Sequence, residues 1–430
     1  MVYRMNYYFI LKLFITYFVK YLCMKRIILL TLFSTINLSA QLCFDYQIWD
    51  GSETVKQYGI DSTGNWWIIT EPFSNYNRLI VNGEQLEEFN QISIPIFSQD
   101  GKRWAAFGEY QGSWYLITEK DIIELNATGS GNIVFTNNSN YLAYSYFIAN
   151  LEYIILPDKT IEVYGKQGSF YVNQDATKFA FKGMRGTKYI LNINGKESNT
   201  FDEIIPIGFW KDDGFVYSAR NGLNWQVYKN FAPITRTYAS IKEPLINPEG
   251  TVLAFIAGTF SNYQIVVTIT DDFFEPLESR QYDLVSYLSL HPELPILSFF
   301  AQKDNFPLIC VNTAEYATSN ETSPPYFSSN GNDIYFIGCD FACFISINGI
   351  RYNLRHNLAP QTKLAMKPNS KTIAFSSSSS MNLLFLETGK MHSGMMVDRI
   401  LPPVYNSKTK RYETIGQIGN RLYLLTCRTD

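Results

Sequence analysis

The side chains best suited to acid–base chemistry near neutral pH are scarce in this chain. Its 430 residues include three histidines, His291, His356 and His392. Catalysis through a histidine needs a nucleophile or substrate proton within its reach. His291-Pro292-Glu293 occupies the place that Asn247-Pro248-Glu249 holds one repeat earlier, which reads as turn formation. His356 and His392 lie in polar connections, and the sequence identifies no Ser or Cys partner for either. Gly-x-Ser-x-Gly, phosphate-binding glycine loops, His-Glu-x-x-His and alternating-Asp calcium loops do not occur. Three acidic pairs remain: Glu87-Glu88, Asp212-Asp213 and Asp271-Asp272. Two carboxylates converging in a central funnel could cleave a glycosidic bond. Asp213 and Asp271-Asp272 fall on recurring turns, however, where Asp satisfies nearby backbone groups. No catalytic, cofactor-binding or metal-binding residue is assigned.

Sulfur chemistry is a second possibility. Of six cysteines, Cys339 and Cys343 flank Asp340-Phe341-Ala342, a spacing that a disulfide could bridge across a tight turn. Cys43 and Cys427 lie near the two ends. The alternative for all four is that of small, buried, unpaired hydrophobes. No Cys-x-x-Cys pair with a nearby His completes a zinc site.

Disulfides persist only outside the reducing cytosol, so the N-terminal segment matters. Residues 7–23 are apolar but interrupted by Lys12 and Lys20. A second start follows: Met24-Lys25-Arg26, the apolar run from Ile27 to Phe33, and Asn37-Leu38-Ser39-Ala40 before Gln41. That order matches a secretory signal peptide. The expected organisation is an over-extended start over 1–23, a signal peptide over 24–40 and the mature domain over 41–430. A membrane anchor across 7–36 would have to bury four basic residues, so no stable span is expected after cleavage. The expected location is the periplasm or the exterior of the cell.

Cleavage would also leave 31 basic residues against 39 acidic ones, a net charge of −8. With no clustered Lys or Arg, a nucleic-acid partner is not expected. The tryptophans Trp66, Trp67, Trp104, Trp114, Trp210 and Trp225 occur mostly in strand-like stretches, which suits packing between sheets. The serine run 376–380 reads as a flexible outer loop.

Positioning any of these residues falls to a repeat. Aligned on the residue that ends a polar turn, copies fall at Gly64, Gly101, Asn140, Ala176, Gly214, Gly250, Leu294, Gly331, Ser370 and Thr409, spaced 36 to 44 residues apart. Each is followed by a short apolar strand, such as Val252-Leu253-Ala254-Phe255. Eighteen residues after the anchor a second turn signal recurs at Asn82, Glu119, Asp158, Asn194, Asn312 and Thr388, with Asn230, Asp271 and Asn348 slightly displaced. Asn-Gly at several of these sites favours the two-residue hairpin. Four strands in about 38 residues make one blade of a β-propeller. The expected fold is therefore all-β, with about ten four-stranded blades in one ring. The chain ends after the third strand of its last unit, while Phe44-Asp45-Tyr46-Gln47-Ile48-Trp49 precedes the first, so the N-terminal strand is expected to complete the last blade. Cys43 beside Cys427 would fit that closure.

Phe97-Ser98-Gln99-Asp100-Gly101-Lys102, Ile246-Asn247-Pro248-Glu249-Gly250 and Met366-Lys367-Pro368-Asn369-Ser370 resemble the WD40-like, Pro-Asp-bearing (PD40) repeats of TolB-type β-propellers. The likeness runs over roughly residues 60–415. It implies an exported propeller that commonly serves as a protein-interaction platform, and it assigns no ligand. The expected function is thus a non-enzymatic platform for a protein partner or cell-envelope ligand. The alternative is a carboxylate-based, polysaccharide-active enzyme in the propeller funnel.

Overall fold

In a computed structural model, residues 42–429 are described apart from 272–274, 320, 329–330, 355–357 and 360. The leader segments 1–23 and 24–40, Asp272 and His356 lie outside the described residues. The described residues are all-β, arranged as ten antiparallel sheets in chain order. Blade 1 shows the pattern, with strands Thr54–Ile60, Trp66–Glu71, Asn77–Val81 and Glu84–Phe89 running from the centre of the ring outward. Blades 2 to 9 span 91–125, 129–163, 166–197, 203–233, 240–278, 284–317, 321–353 and 364–393. Blade 10 takes its first three strands from 399–427, and Cys43–Trp49 supplies the fourth, antiparallel to Arg421–Cys427.

The ring is closed by ten apolar cores, one at each junction between neighbouring blades. Val216, Trp225 and Val227 of blade 5 meet Leu253, Phe255 and Ala257 of blade 6. Ala254 and Ile256, on the other face of that same strand, pack against Phe299 and Cys310 of blade 7. A strand buried on both faces must be apolar at every position, which explains runs such as Val252–Gly258. Small residues on the second strands, including Ala106, Ala143, Ala180, Ala254, Ala301 and Ala374, are fully buried where sheets approach. The tryptophans lie at these junctions: Trp104 and Trp67 between blades 1 and 2, Trp114 between 2 and 3, Trp210 and Trp225 between 5 and 6. Trp66 joins Trp49 and Ile415 where blade 10 meets blade 1.

The turn from the first to the second strand follows one physical rule. A polar side chain at its head accepts the backbone N–H groups that the reversal leaves unpaired: Ser98 Oγ from Arg103, Asn173 Oδ1 from Lys178, Asn247 Oδ1 from Val252, Ser328 Oγ from Asp333. The last residues of these turns are left-handed at Gly64, Gly101, Ser139, Ala176, Asp213, Gly250, Gly331, Asn369 and Lys410. The repeat is therefore as expected, but the strained position precedes Asn140, Gly214 and Ser370 by one residue and follows Thr409 by one. Leu294 is not left-handed. His291 heads that turn, buried, with Nδ1 accepting from the N–H groups of Glu293 and Leu294 at 2.9 and 2.8 Å. The second turn signal is equally local: Asn82, Asn194, Asn230, Asn312 and Asn348 are left-handed, and each Oδ1 accepts the first N–H of its blade's second strand. The 44-residue gap before Leu294 arises from the longer connections around 259–263 and 271–276 of blade 6.

Among the described residues there are two disulfides, Cys43–Cys427 and Cys339–Cys343, and Cys310 is free and buried. The first ties the two strands that complete blade 10, across 384 residues of chain. Cross-linking so long a loop restricts the unfolded chain. Replacing both Cys43 and Cys427 by Ser should lower unfolding free energy by about 2–4 kcal/mol while the paired strands keep the ring closed. Denaturant melts of the two forms, with unchanged far-ultraviolet circular dichroism, check this. Gly250 offers a second test, since an added Cβ would sit 2.8 Å from Lys211 N and 2.9 Å from Phe209 O at a φ of +66°. Gly250→Ala should cost about 1–3 kcal/mol. Gly195→Ala, left-handed but in open space, should cost clearly less in the same melts.

Candidate functional site

The geometry disperses the acidic pairs. Glu88 binds Arg78, while Glu87 is exposed. Asp212 pairs with Lys229 at 2.6 Å and Asp213 with Lys178 at 3.1 Å, on different sides of their turn. Asp271 accepts from the Trp210 indole N–H at 3.1 Å, and Asp272 is outside the described residues. Among the described residues, no two of these carboxylates share an ion-pair partner. His392 stacks edge-on against Phe385 in blade 9. Among the described residues, no cluster of three or more His, Cys, Asp or Glu could hold a metal ion. The serine run is also ordered differently from expectation: Ser377 N–H bonds the Ser380 carbonyl at 2.9 Å, Ser376 Oγ bonds the Leu401 carbonyl, and Ser380 is buried. It forms a tight turn because the small hydroxyls satisfy the local backbone.

The most exposed large apolar side chains gather on one rim. In each blade the turn between second and third strands lies on the same side of the ring as the connection between blades, opposite the inner turns. On that rim large apolar side chains stand in solvent at successive turn tips: Phe73 in blade 1, Tyr110 in blade 2, Leu223 in blade 5, Phe260 in blade 6, Phe306 in blade 7 and Phe341 in blade 8. Leu223 is 83% exposed and Phe306 71%, and Phe341 is fully exposed. Phe73, Tyr76 and Tyr110 form a chain of ring contacts at 5.0 and 6.4 Å that joins blades 1 and 2.

These tips are held rather than loose. The N–H groups of the turns donate to side chains on the preceding inter-blade connection: Gln111 to Asn90, Ala149 to Thr128, Gly222 to Asp202, Asp304 to Asp283 and Gly419 to Asp398, at 2.7–2.9 Å. In blade 8 the Cys339–Cys343 bridge spans the turn that carries Phe341. The recurring acceptor some 20 residues before each turn was legible in the sequence as Asn90, Thr128, Asp202, Asp283 and Asp398. Its meaning emerges only once the two segments are seen side by side. The Lys188 ammonium, at 2.7 Å, and the Gly222 N–H hold the Asp202 carboxyl below the usual carboxylate range.

No protein-family model matches the chain, and no curated protein matches it in sequence. Solved structures do match in shape. A eukaryotic initiation factor superposes with a TM-score of 0.48 at 11% identity, over 86% of this chain and 91% of that one. Dipeptidyl peptidase 4 from Porphyromonas gingivalis gives 0.42 at 9%, over 87% of this chain and 65% of its own. An oligogalacturonate lyase in complex with manganese gives 0.36 at 11%, over 90% and 98%. The likeness is one of fold. The resemblance to TolB-type repeats accordingly stops at the propeller architecture. The expectation that the chain is not an enzyme is withdrawn, because enzymes are prominent among the matching propellers. Their shape alone assigns no activity here.

The Asp202 clamp yields a pH test. A carboxyl whose folded pKa lies below its unfolded value stabilises the fold above the unfolded value, and that contribution fades as pH falls through the folded one. Wild-type protein should therefore lose melting temperature as pH drops below about 4, and Asp202→Asn should lose less over the same range. Parallel melts across that range check the sign.

Proposed function

We propose that this chain is an exported binding platform whose apolar-tipped rim docks a protein partner. The observation that carries the reading is the placement of Phe73, Tyr110, Leu223, Phe260, Phe306 and Phe341 at turn tips of one rim. Exposed aromatic and aliphatic residues held by rigid turns lose little entropy on docking, and such residues dominate binding energy at interfaces. The opposite rim carries Ile122, Tyr141, Phe231, Leu277, Leu294 and Ile350, none more than 62% exposed.

Export is supported by the signal-peptide pattern of residues 24–40 and by the two disulfides. No helix among the described residues is long and apolar enough to cross a membrane.

The test compares three forms of the full chain as bait in crosslinking from a native envelope extract. They are wild type, the rim variant Leu223→Ser/Phe306→Ser/Phe341→Ser, and the opposite-rim control Tyr141→Ser/Phe231→Ser. A saturable protein recovered by wild type and control, with affinity reduced at least about ten-fold by the rim variant, is the expected result. Equal recovery by all three forms would remove the rim from the function.

A further inference from the structure

The inner turns of blades 3 to 6 close on one another. Lys159, on the turn between the third and fourth strands of blade 3, donates to the Thr177 carbonyl of blade 4 at 2.6 Å, and Asn173 of blade 4 donates to Asp213 of blade 5 at 2.9 Å. The Lys211 N–H of blade 5 bonds the Gly250 carbonyl of blade 6, also at 2.9 Å. The circuit is completed across the ring: Asn137 Nδ2 of blade 3 donates to the Pro248 carbonyl of blade 6 at 2.7 Å, although blades 4 and 5 intervene. This collar turns part of the central channel into a recess of about 420 Å³. A recess of that size suits one small ligand.

Its lining is divided by height. The first strands supply half-buried Phe135, Tyr171, Ile207 and Phe209 as an apolar wall. At the mouth, Lys211 and Glu249 stand exposed on adjacent turns. The third charge there, Asp213, is paired with Lys178 and accepts from the Asn173 amide. Lys211 makes a long surface pair of 3.5 Å with Asp271, which leaves its ammonium open to a better acceptor. Among the described residues, Glu249 has no ion-pair partner.

We infer that this recess binds a small zwitterion with an apolar body, either a free apolar amino acid or a short apolar peptide. The ligand carboxylate would pair with Lys211 and its ammonium with Glu249, while the body covers the aromatic wall. Charge-assisted bonds at both ends are the stronger kind. A neutral ligand of the same size leaves both protein charges unanswered and gains only the wall. The site is on the opposite side of the ring from the apolar-tipped rim, so it stands or falls separately.

The test is calorimetric titration of the full chain with free leucine, leucyl-leucine, the dipeptide's N-acetyl form, its C-terminal amide, and maltotriose as a neutral sugar. Saturable binding of the zwitterion, weakened at least about ten-fold by either blocking group, is expected. Lys211→Met should abolish discrimination between acid and amide while keeping discrimination against the N-acetyl form. Glu249→Gln should do the reverse. Both residues are exposed, so melts of the variants should match wild type. Should a variant fold poorly, the blocked-ligand series on wild type decides alone. Equal affinity for blocked and free dipeptides, binding of maltotriose alone, or no saturable binding of dipeptide or free leucine would each overturn the inference.

Discussion

Reversing a strand at the crowded mouth of a ring buries backbone N–H groups that no sheet can pair. Leaving one such group unsatisfied costs about 1–3 kcal/mol, and the same reversal occurs in every blade. The solution is a short polar side chain at the head of the turn. Ser98, Thr136, Asn173, Asn247, Ser328 and Asn406 are all buried despite their polarity, because each replaces water for the turn it heads. Where the position is apolar, another group substitutes. In blade 9 it is Met366, and the Tyr412 hydroxyl of blade 10 accepts the Lys367 N–H and donates to the Thr372 carbonyl. In blade 5 it is Trp210, and Asp212 accepts the Gly214 N–H instead.

Satisfying the turns locally frees their outer atoms to bond one another. Asn65 reaches the Gly101 carbonyl, Ser139 accepts from the Asp100 N–H, Asn247 reaches the Pro292 carbonyl and Asp333 accepts from the Asn369 N–H. The spacing of neighbouring blades at the mouth is set by these contacts together with the apolar cores behind them. The two rims consequently differ in kind. One is drawn inward and cross-linked at its inner turns. The other ends in capped turns whose tips project away from every core, so an apolar residue there has no intramolecular surface to cover.

Ten similar junctions would leave a row of blades with two raw sheet edges. Completing blade 10 from both ends of the chain removes them. The junction of blades 10 and 1, built from Trp49, Ile68, Ile80, Ile415 and Leu422, is then a core like the other nine. Channel geometry still varies round the ring. The first strands of blades 1, 8, 9 and 10 border a second recess through Tyr58, Tyr326, Leu364 and Leu401, with Lys363 beside them. The collar of blades 3 to 6 sets its counterpart apart.

The blade was legible in the sequence because its determinants are local. Turn residues at fixed spacing and strands apolar on both faces act within a few residues of one another, and the unpaired strands at the two ends implied closure. Even the one-residue offset at Asn140, Gly214 and Ser370 reflects a local fact, since Ser139, Asp213 and Asn369 tolerate the left-handed conformation that the neighbouring residue was expected to take. The sites were not legible in this way. Asn137 and Pro248 are 111 residues apart, and nothing in either turn's own chemistry announces that they meet. Lys211 and Glu249 read as ordinary turn residues until both are found at one mouth. The apolar tips were visible as residues, but which rim each turn occupies follows from strand order through the whole ring. Local chemistry determined the blades and their number, and only the packing of distant blades decided which surfaces face a partner or a ligand.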